Sequence, residues 1–418
     1  MHTVFAGRTR QMGVNAIREI LKVVSQPGMV SLAGGIPAPQ SFPLTIVRQL
    51  TDSVLTKYGA AALQYDATEG FGPLRQALAD HLAMQGIQAS ASHILITSGS
   101  QGALDALGLV LISKGDGVAV EAPTYVGALQ AFRPYEPRWV CVPTDDQGLI
   151  PEALEDLLRR QPIQFLYLVP TFQNPTGRTI LEHRRRAIAH LIQKYDVLLV
   201  EDDPYSALRY DGESVPSIKS MAPEHVIYVG TLSKVFAPGL RIGYCVAPKP
   251  IQDWLVVAKQ GIDLHTSTFN QAMAAEYISG GHMADHLPRI LSLYRPRRDA
   301  MLDALARYMP AECGWSKPEG GMFIWLRGRM GTDMEEIYCR AVKRKVAFVP
   351  GKFFFAQPGH GLETMRLNFT MADEEHLTMA VRTLAEVLYA DGSQIEEELT
   401  MRVNARECDY QSIRNSIT

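Results

Sequence analysis

The chain has 418 residues, and 41 Lys and Arg against 44 Asp and Glu give it a formal net charge of −3. This balance argues against a dedicated nucleic-acid or anionic-membrane binder, and 46% hydrophobic with 20% charged residues excludes a disordered chain. The sequence contains no apolar run long enough to cross a bilayer, and its first residues lack the apolar core of a signal peptide, so we expect a cytoplasmic protein.

The cysteines of the chain are few and scattered, at positions 141, 245, 313, 339 and 408. They form neither a CxxC pair nor a Cys/His cluster. An odd number at this spacing predicts reduced thiols, without a disulfide framework and without a metal site. At about 150 residues per domain, the length predicts two or three structural units.

The first two thirds of the chain alternate helical patterns with short apolar runs. A helical pattern over Asn15–Val24 precedes a loop rich in Gly and Pro at Ala33–Pro39, and further helices are predicted at Gln101–Ile112 and Leu181–Tyr195. The apolar runs lack strict alternation, which is typical of strands buried on both faces of a parallel sheet. They are His93–Thr97, Gly117–Glu121, Gln164–Val169, Val197–Glu201, Val226–Gly230 and Gly243–Ala247. This order predicts an α/β fold with a mostly parallel sheet.

After about residue 285 the pattern changes to a long Arg-rich helix, Leu287–Tyr308, and short strands between helices. The predicted elements are the strands Gly321–Leu326, Ala347–Val349 and Met365–Phe369 and a last helix near Asp373–Leu388. We therefore expect a large domain at 46–285 and a smaller α+β domain at 286–390 that the N-terminal arm, 1–45, joins. The polar tail, 391–418, is predicted to be peripheral.

The strongest chemical signal is Lys234, which follows one of the buried runs in the segment TLSKVFAPGLRIGY (231–244). A lysine at the end of a buried strand is costly unless it is used or paired, and a lysine with a depressed pKa forms Schiff bases with carbonyl groups. Thr231, Ser233 and Arg241 supply the hydroxyl and guanidinium groups that suit a phosphate. A lysine beside a phosphate site indicates pyridoxal 5′-phosphate. On this segment alone, the alternative is a solvent-facing lysine in a loop.

Three further segments follow predicted strand ends. Ser98–Gly102 opens a helix, whose first N–H groups bind phosphate, although a plain N-cap has the same composition. Asn174 could donate to a phenolate oxygen or belong to a simple turn. Asp202 could hold a pyridine nitrogen protonated and Tyr205 could bond the phenolate oxygen, or the acidic segment could cap a helix. Parallel strands end at one edge of a sheet, so we expect these side chains to lie close to Lys234.

Together, the segments resemble fold-type I pyridoxal-phosphate enzymes of the class I and II aminotransferases. The most similar subgroup contains the 2-aminoadipate, kynurenine and broad-range aromatic aminotransferases. The resemblance extends over about residues 15–390 and implies a three-layer large domain and a homodimer that shares its active sites across the interface. It rests on SLAGGIPAP (31–39), LQYDATEGFGPLR (63–75), TSGSQGAL (97–104), EAPTYVGALQAF (121–132), PTFQNPTG (170–177), EDDPYS (201–206), TLSKVFAPGLRIGY (231–244), KPEGGMFIW (317–325) and MRLNF (365–369).

The resemblance also implies which residues hold the cofactor. Lys234 would bind it covalently and would also move the substrate proton. The ring would be held by Asp202 at its nitrogen, by Asn174 and Tyr205 at its phenolate oxygen and by Tyr125 on its face. The phosphate would be held by Ser100, Gln101, Ser233, Arg241 and, from the neighbouring subunit, Tyr65. Thr231 stands where serine is commoner in such motifs, and it keeps the hydroxyl.

For the substrate, the resemblance implies that Arg366 holds the α-carboxylate in a bidentate pair, with Gly34 and Gly35 above it and Asn174 beside it. Arg18 on the N-terminal helix is interpreted as selecting a distal carboxylate, or else as part of an exposed helix. The expected reaction is a ping-pong transamination through pyridoxamine phosphate. The donor would be 2-aminoadipate or an aromatic or branched L-amino acid, and the acceptor a 2-oxo acid, 2-oxoglutarate in the first place.

Two alternatives remain at this point. A β-lyase or a decarboxylase would use the same scaffold and the same lysine. A ligand-sensing regulator of this subgroup would be non-catalytic and would carry an upstream DNA-binding domain, which is not expected because the pattern begins near residue 15. Outside the site, the run Arg184, Arg185 and Arg186 is interpreted as a solvated helix face.

Overall fold

The computed structural model describes residues 4–12, residue 20 and residues 27–390 of the 418. Its strands are β1 (Val30–Ser31), β2 (Ile94–Ser98), β3 (Gly117–Ala122), β4 (Arg138–Asp145), β5 (Gly148–Leu149), β6 (Phe165–Leu168), β7 (Leu198–Asp203), β8 (Val226–Thr231), β9 (Ile242–Val246), β10 (Gly314–Trp315), β11 (Phe323–Arg327), β12 (Val346–Ala347), β13 (Val349–Pro350) and β14 (Thr364–Asn368). Its α-helices are α1 (Leu44–Tyr58), α2 (Gly72–Met84), α3 (Gly99–Leu111), α4 (Val126–Phe132), α5 (Pro151–Arg160), α6 (Glu182–Lys194), α7 (Ile218–Met221), α8 (Lys249–Ile262), α9 (Thr268–Ser279), α10 (His282–Tyr308), α11 (Met334–Lys343) and α12 (374–390).

The large sheet has the strand order β2-β9-β8-β7-β6-β3-β4-β5. Neighbouring strands from β8 to β4 pair in parallel, whereas β9 runs antiparallel to both β2 and β8, and β5 runs antiparallel to β4. The carboxyl ends of β2, β3, β6, β7 and β8 therefore meet at one edge of the sheet. The predicted α/β fold with a mostly parallel sheet is confirmed.

The six apolar runs correspond to β2, β3, β6, β7, β8 and β9 with bounds that differ by at most two residues. Their interiors are buried on both faces, which explains why hydrophobicity located them. The prediction missed β4, near the edge of the sheet, because only Val140 and Val142 of its residues are buried. A strand with one half-exposed face does not form a continuous apolar run.

A smaller antiparallel sheet has the order β10-β11-β14-β13, and β1 pairs in parallel with β12. Helix α10 begins at His282, five residues before the predicted start at Leu287, and continues through Pro288 and Pro296. Buried side chains along its length, such as Tyr294, hold it helical, since tertiary packing overrides local propensity.

One hydrophobic core joins the two sheets, because buried residues of β2 and β8 belong to the same cluster as those of β11 and β14. The domain boundaries expected at residues 45, 285 and 390 stay a prediction. Within the described ranges, no helix combines the length and the apolar character needed to cross a bilayer.

The interpretation of the arginine run as a solvated face is wrong for Arg185. Arg186 is exposed beside Glu182, and Arg184 pairs with Asp145, but Arg185 is only 1% exposed. Its position explains the difference: residues 185, 188, 189 and 192 share one face of α6, and that face is buried.

Candidate functional site

A cavity of about 570 Å³ opens at the carboxyl edge of the large sheet. It is bordered by the ends of β7 and β8, by the loop after β6 and by the first turn of α3. The predicted site residues that line it are Gly35, Ser100, Gln101, Tyr125, Asn174, Asp202, Tyr205, Thr231, Ser233, Lys234, Arg241 and Arg366. The parallel topology thus brings together side chains that are up to 331 positions apart in the chain, from Gly35 to Arg366.

Two predicted residues, Gly34 and Tyr65, do not line this cavity. Gly34 does not line it, and the Cβ that it lacks would face Ile36 and Met371 instead. Tyr65 is 77% exposed, and its ring contacts the ring of His265 edge-on with centroids 5.6 Å apart. Arg18 lies outside the described residues.

Lys234 enters the cavity from the turn that follows β8. Its Nζ donates a hydrogen bond to the carbonyl oxygen of Gly35, 2.9 Å away. Burial lowers the pKa of its amine to about 8, and the positive charges of Arg366 and Arg241 act in the same direction. The neutral fraction of the amine near physiological pH is therefore much larger than that of an ordinary lysine, and the neutral form is a nucleophile and a base.

Asp202 is the middle of three consecutive carboxylates at the end of β7. Side chains alternate between the faces of a strand, so Asp202 lies on the cavity side and its two neighbours on the other. Glu201 accepts hydrogen bonds from Ser217 and Lys219, and Asp203 accepts one from Tyr228. The two flanking carboxylates are thereby engaged away from the cavity.

One oxygen of Asp202 has no partner among the described residues. The side chain is 1% exposed; Oδ2 accepts a hydrogen bond of 2.7 Å from Tyr167, and Oδ1 accepts none. Burial raises the pKa of this carboxyl to about 7, although the Tyr167 hydrogen bond opposes the shift. A cationic N–H group at Oδ1 would satisfy the orphan oxygen and would keep the carboxylate ionised.

Arg366 is a buried cation without an ion-pair partner among the described residues. Its guanidinium lies 4.3 Å from the ring centroid of Phe323 and 5.0 Å from that of Phe354, and its Nε has no hydrogen bond. Burial lowers its pKa to about 10, so it remains charged at neutral pH. Two aromatic rings fix the guanidinium plane, which suits a carboxylate that binds edge-on.

Asn174 connects Arg366 with the tyrosine at the other side of the cavity. Its Oδ1 accepts a hydrogen bond of 2.9 Å from Nη1 of Arg366, and its Nδ2 donates one of 3.4 Å to the hydroxyl of Tyr205. The second terminal nitrogen of Arg366 donates to the carbonyl oxygen of Ala33, 2.6 Å away. One amide therefore sets the position of a cation and of a phenol.

The opposite end of the cavity is formed by the start of α3 and by Arg241. The guanidinium of Arg241 donates to the carbonyl oxygen of Ser98, 3.1 Å away, and lies against Gly99. Gly99 has φ +71, and a Cβ there would collide with that guanidinium, so glycine is required twice. The first N–H groups of a helix and a nearby arginine form an anion site.

Two hydroxyls and an aromatic ring complete the lining. The hydroxyl of Thr231 donates to Ile242 in β9 and lies 2.9 Å from that of Ser233, so it organises the turn before Lys234. The ring of Tyr125 lies against Gly127, where a Cβ would collide with it. Burial raises the pKa of Tyr125 to about 12, so the ring is a neutral surface for a flat ligand.

The cavity fits the cofactor expected from the sequence. Its lining carries three cations and one carboxylate, a surplus that suits a phosphate and a substrate carboxylate. The orphan oxygen of Asp202 suits a protonated ring nitrogen, and Lys234 suits an aldehyde.

Sequence reasoning missed three residues that support the site. Tyr167 holds Asp202, and Phe323 and Phe354 enclose the guanidinium of Arg366. A tyrosine inside a buried strand signals a hydroxyl that needs a partner, but the identity of that partner depends on which strands are neighbours. The two phenylalanines carry no signal beyond an apolar pattern.

The chain is similar to known proteins over most of its length. A family model described as aminotransferase class I and II matches residues 38–384. The chain is 46% identical over 391 residues to the aromatic-amino-acid aminotransferase 1 of Thermococcus litoralis, a match that covers 92% of this chain and 94% of that protein.

Solved structures give the same result. The kynurenine aminotransferase of Pyrococcus horikoshii, solved in complex with PMP, has a TM-score of 0.89 and 44% identity, and covers 93% of this chain and 97% of its own. The α-aminoadipate aminotransferase LysN of Thermus thermophilus, complexed with N-(5′-phosphopyridoxyl)-L-leucine, has a TM-score of 0.86 and 39% identity, with coverage of 92% and 97%.

Proposed function

Because the chain belongs to the class I and II aminotransferase family, we propose a donor, an acceptor and a role for each site residue in its pyridoxal-phosphate-dependent transamination. The family, the cofactor and the reaction expected from the sequence are confirmed by the comparisons. When bound, pyridoxal phosphate supplies a ring that accepts the electron pair left at the substrate Cα. The observation that carries the residue roles is the convergence of Lys234, Asp202 and Arg366 on one cavity.

The proposed cofactor contacts follow from the partners that the side chains lack. Oδ1 of Asp202, buried and without a partner, would accept from the ring nitrogen. Asn174 and Tyr205 would donate to the phenolate oxygen, and Tyr125 would cover the ring. The phosphate would lie at the start of α3, held by the N–H groups and side chains of Ser100 and Gln101, by Ser233 and by Arg241.

Lys234 is proposed as the catalytic base. Exchange of the substrate amine for the lysine amine would free Nζ beside the substrate, and its lowered pKa raises the fraction that is neutral. It then takes the proton from the substrate Cα and returns it to the cofactor side. Arg366 holds the α-carboxylate and so orients the Cα–H bond relative to the ring.

The proposed substrates are inferred from the side chains of the remaining cavity wall. The cavity lining includes the apolar side chains of Ile36, Val126 and Pro238, which suit an aromatic or branched donor. The three cations of the lining are already engaged by the cofactor and by the α-carboxylate. A distal carboxylate, as in 2-oxoglutarate or 2-aminoadipate, therefore needs a further cation, and Arg18 is proposed for that role.

Half-reactions test the proposed function. Enzyme loaded with pyridoxal phosphate is mixed in turn with phenylalanine, kynurenine, leucine and 2-aminoadipate, and the absorbance of the bound cofactor is followed. We expect conversion to the amine form with one 2-oxo acid per site, and its reversal by 2-oxoglutarate with formation of glutamate. Release of ammonia or carbon dioxide without a matching 2-oxo acid would favour the β-lyase or decarboxylase alternative instead.

A homodimer is proposed for two reasons. The surface around Tyr65 carries the exposed apolar side chains of Leu63 and Leu264, and such patches mark protein interfaces. Tyr65 itself lies outside its own cavity and is free to reach the phosphate of a second copy.

We also propose a cytoplasmic location. Cys141, Cys245, Cys313 and Cys339, the described cysteines, form no disulfide. Unbridged thiols are typical of reducing compartments.

Replacing Tyr65 by phenylalanine is expected to weaken cofactor binding about 10- to 100-fold, because a hydrogen bond to a charged group contributes about 1.5–3 kcal/mol. Equilibrium dialysis against pyridoxal phosphate measures the change, and sedimentation measures the dimer. Tyr308→Phe, on α10, is the matched control and should bind the cofactor normally. A fully active monomer, or unchanged affinity in Tyr65→Phe, would contradict the shared site.

A further inference from the structure

Arg185 is a fully buried cation that the proposed reaction does not use. Its side chain donates to four oxygens: the carbonyls of Ile180 at 2.7 Å, Pro170 at 2.9 Å and Pro216 at 3.1 Å, and the hydroxyl of Thr171 at 2.7 Å. All four partners are neutral. The nearest carboxylate is Glu201, whose Oε1 lies 4.0 Å from Nη1.

These contacts close the loop that carries Asn174. Pro170 and Thr171 are the beginning of this loop, and Ile180 is its end, so one guanidinium holds both ends. The N–H of Ile180 also donates to the carbonyl of Pro170, 2.8 Å away. Phe172 inside the loop is fully buried with φ +48, a conformation that a non-glycine residue keeps only when its surroundings enforce it.

Burying the Arg185 guanidinium costs free energy, which indicates that this side chain has a specific role. Burial lowers the pKa of Arg185, and the charge of Glu201 only partly opposes the shift. Glu201 is itself shared with Ser217, Ile218 and Lys219. The arginine guanidinium is planar and carries five N–H donors, so it can bond both ends of one loop at once. A lysine amine cannot replace it in this role.

We propose that Arg185 is a positioning residue that fixes Asn174 between the cofactor oxygen and Arg366. This inference rests on the role proposed above for Asn174. Asn174 makes one hydrogen bond on each side, to Tyr205 and to Arg366. A loosened loop end therefore misplaces both contacts together.

The test reads the cofactor spectrum rather than turnover. A hydrogen-bond donor to the phenolate oxygen stabilises the negative charge of that oxygen. The oxygen then attracts the neighbouring proton less strongly. Loss of the donor therefore raises the pH at which the absorbance of the lysine-bound cofactor changes. For a hydrogen bond of ordinary strength the rise is about 0.5 to 1 pH unit. We expect it in Asn174→Ala and, in the same direction, in Arg185→Lys.

Arg186→Lys is the matched control, because Arg186 is the exposed neighbour that, among the described residues, pairs only with Glu182. It should titrate like the unmodified enzyme. If Asn174→Ala shifts and Arg185→Lys does not, the positioning role is overturned while the proposed function stands. If neither shifts, the role of Asn174 fails, and the inference fails with it.

A milder variant covers the case in which Arg185→Lys does not fold. Thr171→Val removes one hydroxyl partner of the guanidinium and leaves the arginine in place. We expect a smaller rise in the same direction, together with a raised KM for the amino acid, since Asn174 also orients Arg366. An unchanged titration in a folded Thr171→Val enzyme would overturn the proposal.

Discussion

Replacing Lys234 by alanine should reduce turnover by more than about 10³-fold, because this side chain is proposed to supply both the covalent link and the base, and acid–base catalysis alone contributes about 10²- to 10⁴-fold. The absorbance band of the covalently bound cofactor should disappear as well. Borohydride reduction followed by peptide mapping should label Lys234 in the unmodified enzyme and no lysine in the variant.

The exposed Lys249 on α8 provides the control, since its amine pairs with Asp253 on the same helix. Lys249→Ala should retain activity and spectrum. In the unmodified protein from which the cofactor has been removed, the rate at which Lys234 binds added pyridoxal phosphate covalently should rise with pH and level off above about 8. Burial lowers the pKa of Lys234 to that value, and the neutral amine is the nucleophile. Normal transamination by Lys234→Ala would refute the assignment.

Replacing Arg366 by methionine should lower kcat/KM for amino acids about 10²- to 10³-fold, because removing one partner of a buried charge pair costs roughly 2–5 kcal/mol. Methionine preserves the volume between Phe323 and Phe354, so the protein should fold and should still bind the cofactor. Steady-state kinetics with the amino acid measure the loss.

The comparison compound is the amine that lacks the α-carboxylate. This amine should react slowly, and at the same rate, with the unmodified enzyme and with Arg366→Met, because it has no carboxylate for the guanidinium to bind. Arg382→Met on α12, an exposed position that faces Glu386, is the matched control. An equal loss for the amino acid and for the amine would show that Arg366 supports the fold rather than the carboxylate.

Much of the site follows from sequence because it is built at strand ends. Asn174, Asp202 and Lys234 each follow a continuous apolar run, and parallel strands end at one edge, so their location on the same edge can be predicted. The sequence does not contain the strand order, and for that reason the contact between Tyr167 and Asp202 was not predicted. The spacing of Arg185 from the apolar residues of α6 is typical of a buried position, but three adjacent arginines favoured an exposed helix face instead.

Because three carboxylates are consecutive at the end of β7, the register of that strand decides which of them faces the cavity. Asp202 pairs with Val229 of β8, and a slip by one residue would turn Glu201 or Asp203 toward the cavity. The slipped strand would still present an acid to the cavity, so the acids alone do not fix the register. Val200 would then point away from its present neighbours, so hydrophobic packing of Val200 also fixes the position of Asp202, the carboxylate proposed to bind the ring nitrogen.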